Sequence, residues 1–100
     1  MEIIKELRQA KLKRIEEMVD KIAEMNPEAI LLEPQSFYNK TIMGYSGDGQ
    51  VVYSVGQILE GHVNEDDMTY EEAIEFFEFN TIGTFMGMDN PNKPVFMYEE

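Results

Sequence analysis

From Ile4 to Met25 the apolar residues Ile4, Leu7, Leu12, Ile15, Val19 and Ile22 recur at steps of three, four or five, with Lys, Arg and Glu between them. That is the period of an amphipathic helix, and it requires something to cover one long apolar stripe. Leu12, Ile15, Val19 and Ile22 keep 3-4 spacing for two heptads, short of the roughly three or four that argue for a coiled coil. Two coverings stay open. The helix lies on its own domain, or the four residues form an oligomerisation seam with a second copy.

A chain of 100 residues supports one core, since two halves of this size would each bury too little surface. One domain over 1–100 is therefore expected, with residues 1–25 as the amphipathic helix and 26–100 as an acidic α+β body. An apolar fraction of 43% with eleven aromatic residues excludes a disordered chain. No apolar run exceeds four residues, and the start MEIIKELRQA has no apolar centre, so neither a membrane span nor a signal peptide is expected. The absence of cysteine removes disulfides, thiol nucleophiles and thiolate metal sites together and fits a reducing compartment. The expected location is the cytoplasm.

Charge is unevenly spread. Residues 1–25 hold six basic and six acidic side chains, whereas 26–100 hold two basic against fourteen acidic, so the whole net charge of −12 falls there. Between Lys40 and Lys93 there is no Lys or Arg. Such a surface repels phosphate backbones and anionic lipid, which disfavours nucleic acid and membranes as direct partners and favours a basic protein. The same charge also serves solubility.

Asn26-Pro27 reads as a cap followed by proline at a first helical position, and Pro34 as a stop, which predicts a short helix over 27–33. Thr41–Ser46 and Val51–Ser54 are β-rich and separated by Gly47-Asp48-Gly49, the signature of a hairpin. The acid inside that glycine pair and the missing lysine argue against a phosphate loop. Ser54 and Gln57 have capping-box spacing and predict a helix with Val55, Ile58, Leu59 and His62 on one face. Val95–Tyr98 supplies a third strand. The predicted architecture is α+β, with a three-stranded antiparallel sheet and two helices besides the first.

His62 is the only histidine. Metal sites need several converging ligands, and no acid or second histidine is expected to join it from one turn away, so a structural histidine at the core boundary is expected. Thr69 and Glu72 form a second capping box that opens a helix from Tyr70 to about Ile82. At 100° per residue, Tyr70, Ala73, Ile74, Phe77 and Thr81 face the core, and Glu71, Glu75 and Glu78 share the opposite side. Glu65, Asp66 and Asp67 add negative charge just before the helix, where its dipole stabilises them. Phe76 and Phe79 project between the acidic stripe and the core arc. These eight residues, Glu71, Glu75, Glu78, Phe79, Phe76, Glu65, Asp66 and Asp67, are the candidate partner-binding surface, because acids around an accessible aromatic suit recognition. A solvated, well-capped face explains the acids equally.

The segments LLEPQSFYNKTIMGY (Leu31–Tyr45), VVYS (Val51–Ser54), MTYEEAIEFFEFNTIGTFMG (Met68–Gly87) and KPVF (Lys93–Phe96) resemble a family of small uncharacterised proteins of phage and prophage genomes. The likeness covers 31–97 and is most specific over EEAIEFFEFNTIG (Glu71–Gly83). It implies a setting inside an infected cell and no mechanism, and it leaves the first helix outside.

No nucleophile with a base, paired carboxylates in a pocket or metal cluster stands out, so no catalytic residue, cofactor or metal is expected. Carboxylates on an exposed helix face make poor general acids, and neither Asp48 nor Glu65-Asp66-Asp67 matches the EF-hand pattern. The expected function is a non-enzymatic acidic protein that docks on a basic host or phage protein, including inhibition of a nucleic-acid-binding or defence factor. The alternative is a homo-oligomer joined by the first helix that holds a small anion such as a nucleotide signal, with Lys11, Lys13 and Arg14 as contacts.

Overall fold

The computed structural model describes residues 2–85 and 87–99. The first helix, α1 (Glu2–Met25), is the long one. Its 24 residues, at about 1.5 Å each, run along a molecule whose longest extent is 46 Å. Only the second half packs. Ile15 and Ile22 are buried and Met18 and Val19 half-buried, whereas Ile3, Ile4, Leu7 and Leu12 lie exposed. The domain body thus covers the stripe from Ile15 onward and leaves it open before that point.

The expected helix over 27–33 does not form, because long-range partners take its amides. Ile30 N–H donates to the Asn92 carbonyl at 3.0 Å and Leu32 N–H to the Tyr53 hydroxyl at 2.8 Å. Pro34 does not stop a helix but precedes one, as N-cap of α2 (Gln35–Tyr38). At the start of a helix proline's missing N–H leaves no hydrogen bond unmade. A 3₁₀ turn (Asn39–Thr41) leads into β1 (Ile42–Tyr45), which pairs antiparallel with β2 (Val51–Ser54). In the connecting loop Gly49 has φ +82°, and a Cβ there would meet Asn26 Cβ at 2.6 Å. Both facts call for glycine.

From Ser54 the chain passes straight into α3 (Val55–Glu65). The Ser54 hydroxyl accepts from Gln57 N–H at 3.2 Å, which is half of the expected capping box. Its own proton goes to a Glu99 carboxylate oxygen rather than to the helix. After a loop, α4 (Tyr70–Phe76) continues through a wide π turn (Phe77–Ile82) and a last turn, α5 (Gly83–Phe85). Helical dihedrals hold at both joints, and Gly83 N–H reaches back five residues to the Glu78 carbonyl. We refer to the run 70–85 as the acidic helix.

The third strand, β3 (Val95–Met97), lies beside β2 in the order β1-β2-β3, with Val52 opposite Val95 and Ser54 opposite Met97. This pairing is parallel. The expected antiparallel sheet is thereby corrected: β3 makes it mixed. A parallel neighbour needs a long crossover, usually helical, and α3 with the acidic helix supplies it between β2 and β3. Central β2 is accordingly the most buried strand, with Val51, Tyr53 and Ser54 fully enclosed. Burial pushes the Tyr53 phenol up to about 12. Among the described residues no helix is long and apolar enough to cross a membrane. The fold is α+β.

Candidate functional site

The acidic helix begins where the sequence marks it. The Thr69 hydroxyl accepts from Glu72 N–H at 3.1 Å, and a Glu72 carboxylate oxygen accepts from Thr69 N–H at 2.9 Å, closing both halves of the box. The Thr69 amide, and then its hydroxyl, hold the Glu72 carboxyl below its usual range. Ala73, Phe77 and Thr81 are buried and Ile74 half-buried, as the projection requires. Tyr70 departs from it. Although it lies on the core arc, Tyr70 is 60% exposed, and its neighbours Thr69, Glu71 and Glu72 at this first turn are exposed as well.

Glu71, Glu75 and Glu78 are exposed and pair with no cation among the described residues. Phe79 beside them is 81% exposed, an unusual position for a phenylalanine. Phe76 is 38% exposed and turns its ring edge to His62 at 4.9 Å. Together Glu75, Phe76 and Phe79 line a shallow cleft with Met68, Glu72 and Asn80. Glu78 instead opens onto a cleft on another side of the helix. The floor there is Val55 and Leu59 of α3 with Ile74 and Phe77, and Tyr70, Tyr98 and Glu99 stand at its edge. A ridge of carboxylates thus runs beside two apolar depressions. The π turn occurs along this ridge, a rarity that often accompanies function.

The other three candidate acids divide. Glu65 forms an ion pair with Lys40, which also lies over the Phe37 ring at 5.5 Å. Asp66 Oδ2 accepts from His62 Nδ1 at 2.8 Å. Asp67 is exposed with φ +58° in the turn before Thr69, a conformation that aspartate tolerates better than most residues. Two of the three therefore hold the end of α3 in place rather than standing free.

The Asp66 contact corrects the expectation that no acid stands one turn from His62. The histidine is 3% exposed, stacked on Phe37 at 4.8 Å and edge-on to Tyr38 at 6.5 Å. Its Nε2 has no hydrogen-bond partner among the described residues. Phe37 is pressed so close to α3 that a Cβ on Gly61 would lie 2.8 Å from its ring. Rings of Phe37, Tyr38 and Phe76 thus surround the imidazole. Among the described residues, no group of three or more His, Cys, Asp or Glu could hold a metal ion.

Of the expected oligomerisation residues, Ile15 and Ile22 are buried within the domain, Val19 is half-buried and Leu12 is 54% exposed. Lys11 shares a small surface cleft with Lys40, Glu60 and Glu65, and Lys13 and Arg14 are exposed. Sequence reasoning missed the role of Tyr98, which meets Phe77 of the acidic helix, and of Glu99, which meets Ser54 at the start of α3; both are brought to this cleft by the parallel pairing of β3 with β2. The aromatic at the first position after the Thr69 cap was the legible part of that cleft. Comparison with known protein families, with curated proteins and with solved structures finds no match to this chain.

Proposed function

We propose that the chain is a non-enzymatic binding protein whose acidic helix docks on a basic surface of a protein partner. The observation that carries this reading is Phe79, 81% exposed beside a row of carboxylates that pair with no described cation. An aromatic anchor fixes the complex and the ring of charge attracts and orients the partner. The resemblance to phage proteins supports a host or phage protein as that partner, in the host cytoplasm, with a nucleic-acid-binding or defence factor as the favoured target. A row of carboxylates can occupy a groove built for phosphates. The test is the affinity of a partner recovered from host lysate, measured at low and high salt. Glu71→Lys with Glu75→Lys and Glu78→Lys should abolish the salt dependence, and Phe79→Ser should weaken binding at every salt concentration. Binding indifferent to both changes would sink the reading.

A second reading is self-assembly through α1, favoured by the uncovered Ile3, Ile4, Leu7 and Leu12. Residues 1–14 carry five basic and two acidic side chains, a net +3, and residues 15–100 carry three basic and eighteen acidic, a net −15. An apolar, cationic arm complements the acidic body of another copy, and Lys11, Lys13 and Arg14 would then offer contacts to a small anion. Light scattering coupled to size-exclusion chromatography at two salt concentrations tests it. A monomer at every protein concentration removes this reading.

A further inference from the structure

The cleft between α3, the start of the acidic helix and the residues after β3 combines three properties. Its floor is apolar, formed by Leu59, Ile74 and Phe77. Two tyrosines border it with much of their rings in solvent, Tyr70 at 60% and Tyr98 at 64% exposure. Among the described residues its only charged lining groups are the carboxylates of Glu78 and Glu99. Its volume of about 230 Å³ falls below the roughly 300 Å³ at which small-molecule pockets usually begin.

We propose that this cleft receives the side chain of a lysine from the protein partner. An anion would face two carboxylates and no cation. A neutral apolar group would fill the floor but leave the carboxylates unused. An alkyl chain ending in an ammonium satisfies both parts, with its methylenes on Leu59, Ile74 and Phe77 and its charge beside the tyrosine rings and Glu78. Cations bind the faces of such rings by electrostatic attraction. Glu99 is already held by the Ser54 hydroxyl at the start of α3, so the mouth keeps one fixed carboxylate and one, Glu78, that can follow the ligand. The size admits one long side chain, and a basic partner carries many. This inference deepens the docking reading and rests on it for the source of the lysine.

The experiment is an NMR titration of the full chain with Nα-acetyl-lysine N-methylamide, and in parallel with the norleucine analogue, which keeps the methylenes and lacks the ammonium. Saturable shifts centred on Leu59, Tyr70, Ile74 and Tyr98 are expected for the lysine compound, with affinity at least several-fold above that for norleucine. Tyr70→Ala should weaken it by roughly 2- to 30-fold, the range of a cation–π contact, and Glu78→Gln by roughly 1.5- to 5-fold, the range of an exposed ion pair. Both side chains are exposed, so unchanged shifts across the sheet confirm that the variants fold. Equal binding of norleucine, or lysine shifts confined to the ridge or to α1, overturn the proposal. Glu71→Lys with Glu75→Lys, which do not line the cleft, separate the two readings. If they abolish partner binding while the lysine titration is unchanged, ridge and cleft both stand. If partner binding ignores them while the titration succeeds, the ridge reading fails alone.

Discussion

The first helix and the acidic helix are both amphipathic, and both leave large apolar side chains uncovered, yet they carry opposite charges. In α1 the covered part is Ile15 to Ile22 and the uncovered part is Ile3, Ile4 and Leu7 among lysines and arginines. In the acidic helix Ala73, Phe77 and Thr81 are enclosed, and Tyr70 and Phe79 stand outside among carboxylates. Burial along each helix therefore separates what holds the domain from what it presents. If these faces dock partners as proposed, charge decides which ones each accepts, because an apolar contact alone discriminates little between surfaces.

The sharpest test of that separation uses two phenylalanines two positions apart. Phe77 is 2% exposed and edge-on to Phe96 at 5.6 Å and to Tyr98 at 6.4 Å. Phe77→Ala should cost about 3–5 kcal/mol through lost burial and the cavity left behind, a large share of the roughly 5–15 kcal/mol that stabilises a typical domain. Phe79→Ala should change stability by no more than about 0.5 kcal/mol, as surface substitutions usually do. Urea unfolding followed by circular dichroism reads both. A Phe79 variant as unstable as the Phe77 variant would mean that the exposed ring belongs to the fold, and the contrast between the two faces would collapse.

A smaller effect is expected at the start of the acidic helix. Thr69→Ala removes the hydroxyl that caps it and should cost about 1 kcal/mol. The Glu72 half of the box gives a pH signature. Its carboxyl is held below the usual range in the folded chain, so its contribution is present above the unfolded value of about 4.3 and is lost as the pH falls through the lower folded value. Glu72→Gln should therefore lower stability near neutrality and converge with the parent chain in acid. Unfolding curves at several pH values check the convergence. A constant difference down to the lowest pH would show that the carboxylate charge is not what the cap uses.

Much of the fold was legible because its signals are local. The period of α1, the glycines around Asp48 and the pairs Ser54-Gln57 and Thr69-Glu72 each place an element within a few residues of where it lies. The misplacements arise where a distant residue decides. Residues 27–33 have helical signals but give their amides to Asn92 and Tyr53, and no local pattern announces those partners. The direction of β3 was legible in principle, since some forty residues with two helices separate it from β2, a length suited to a parallel crossover. The His62–Asp66 pair was legible as well, being one helical turn apart. The acidic face was readable from helical phase. The tyrosine cleft was not, because Tyr98 meets Phe77 only through strand pairing that carries β3 back past α3.

The smallest expected effect on the isolated chain lies on α1. Leu7 is 65% exposed, and Leu7→Ser should shift monomer stability by no more than about 0.5 kcal/mol, mostly through helix propensity. Its effect on association should be larger if the arm seats on a second copy, because the residue is then desolvated at the contact. The two quantities are separable. Unfolding at low protein concentration reads the first, and sedimentation or light scattering at high concentration reads the second. If Leu7→Ser and Arg8→Glu both dissociate an assembly, and Glu75→Lys restores it in the Arg8→Glu background, the arm of one copy meets the acidic helix of another. The opposite charges of the two helices would then be halves of one contact. If Leu7→Ser alone dissociates it, the arms pair with each other and the acidic helix is left free for a foreign basic partner.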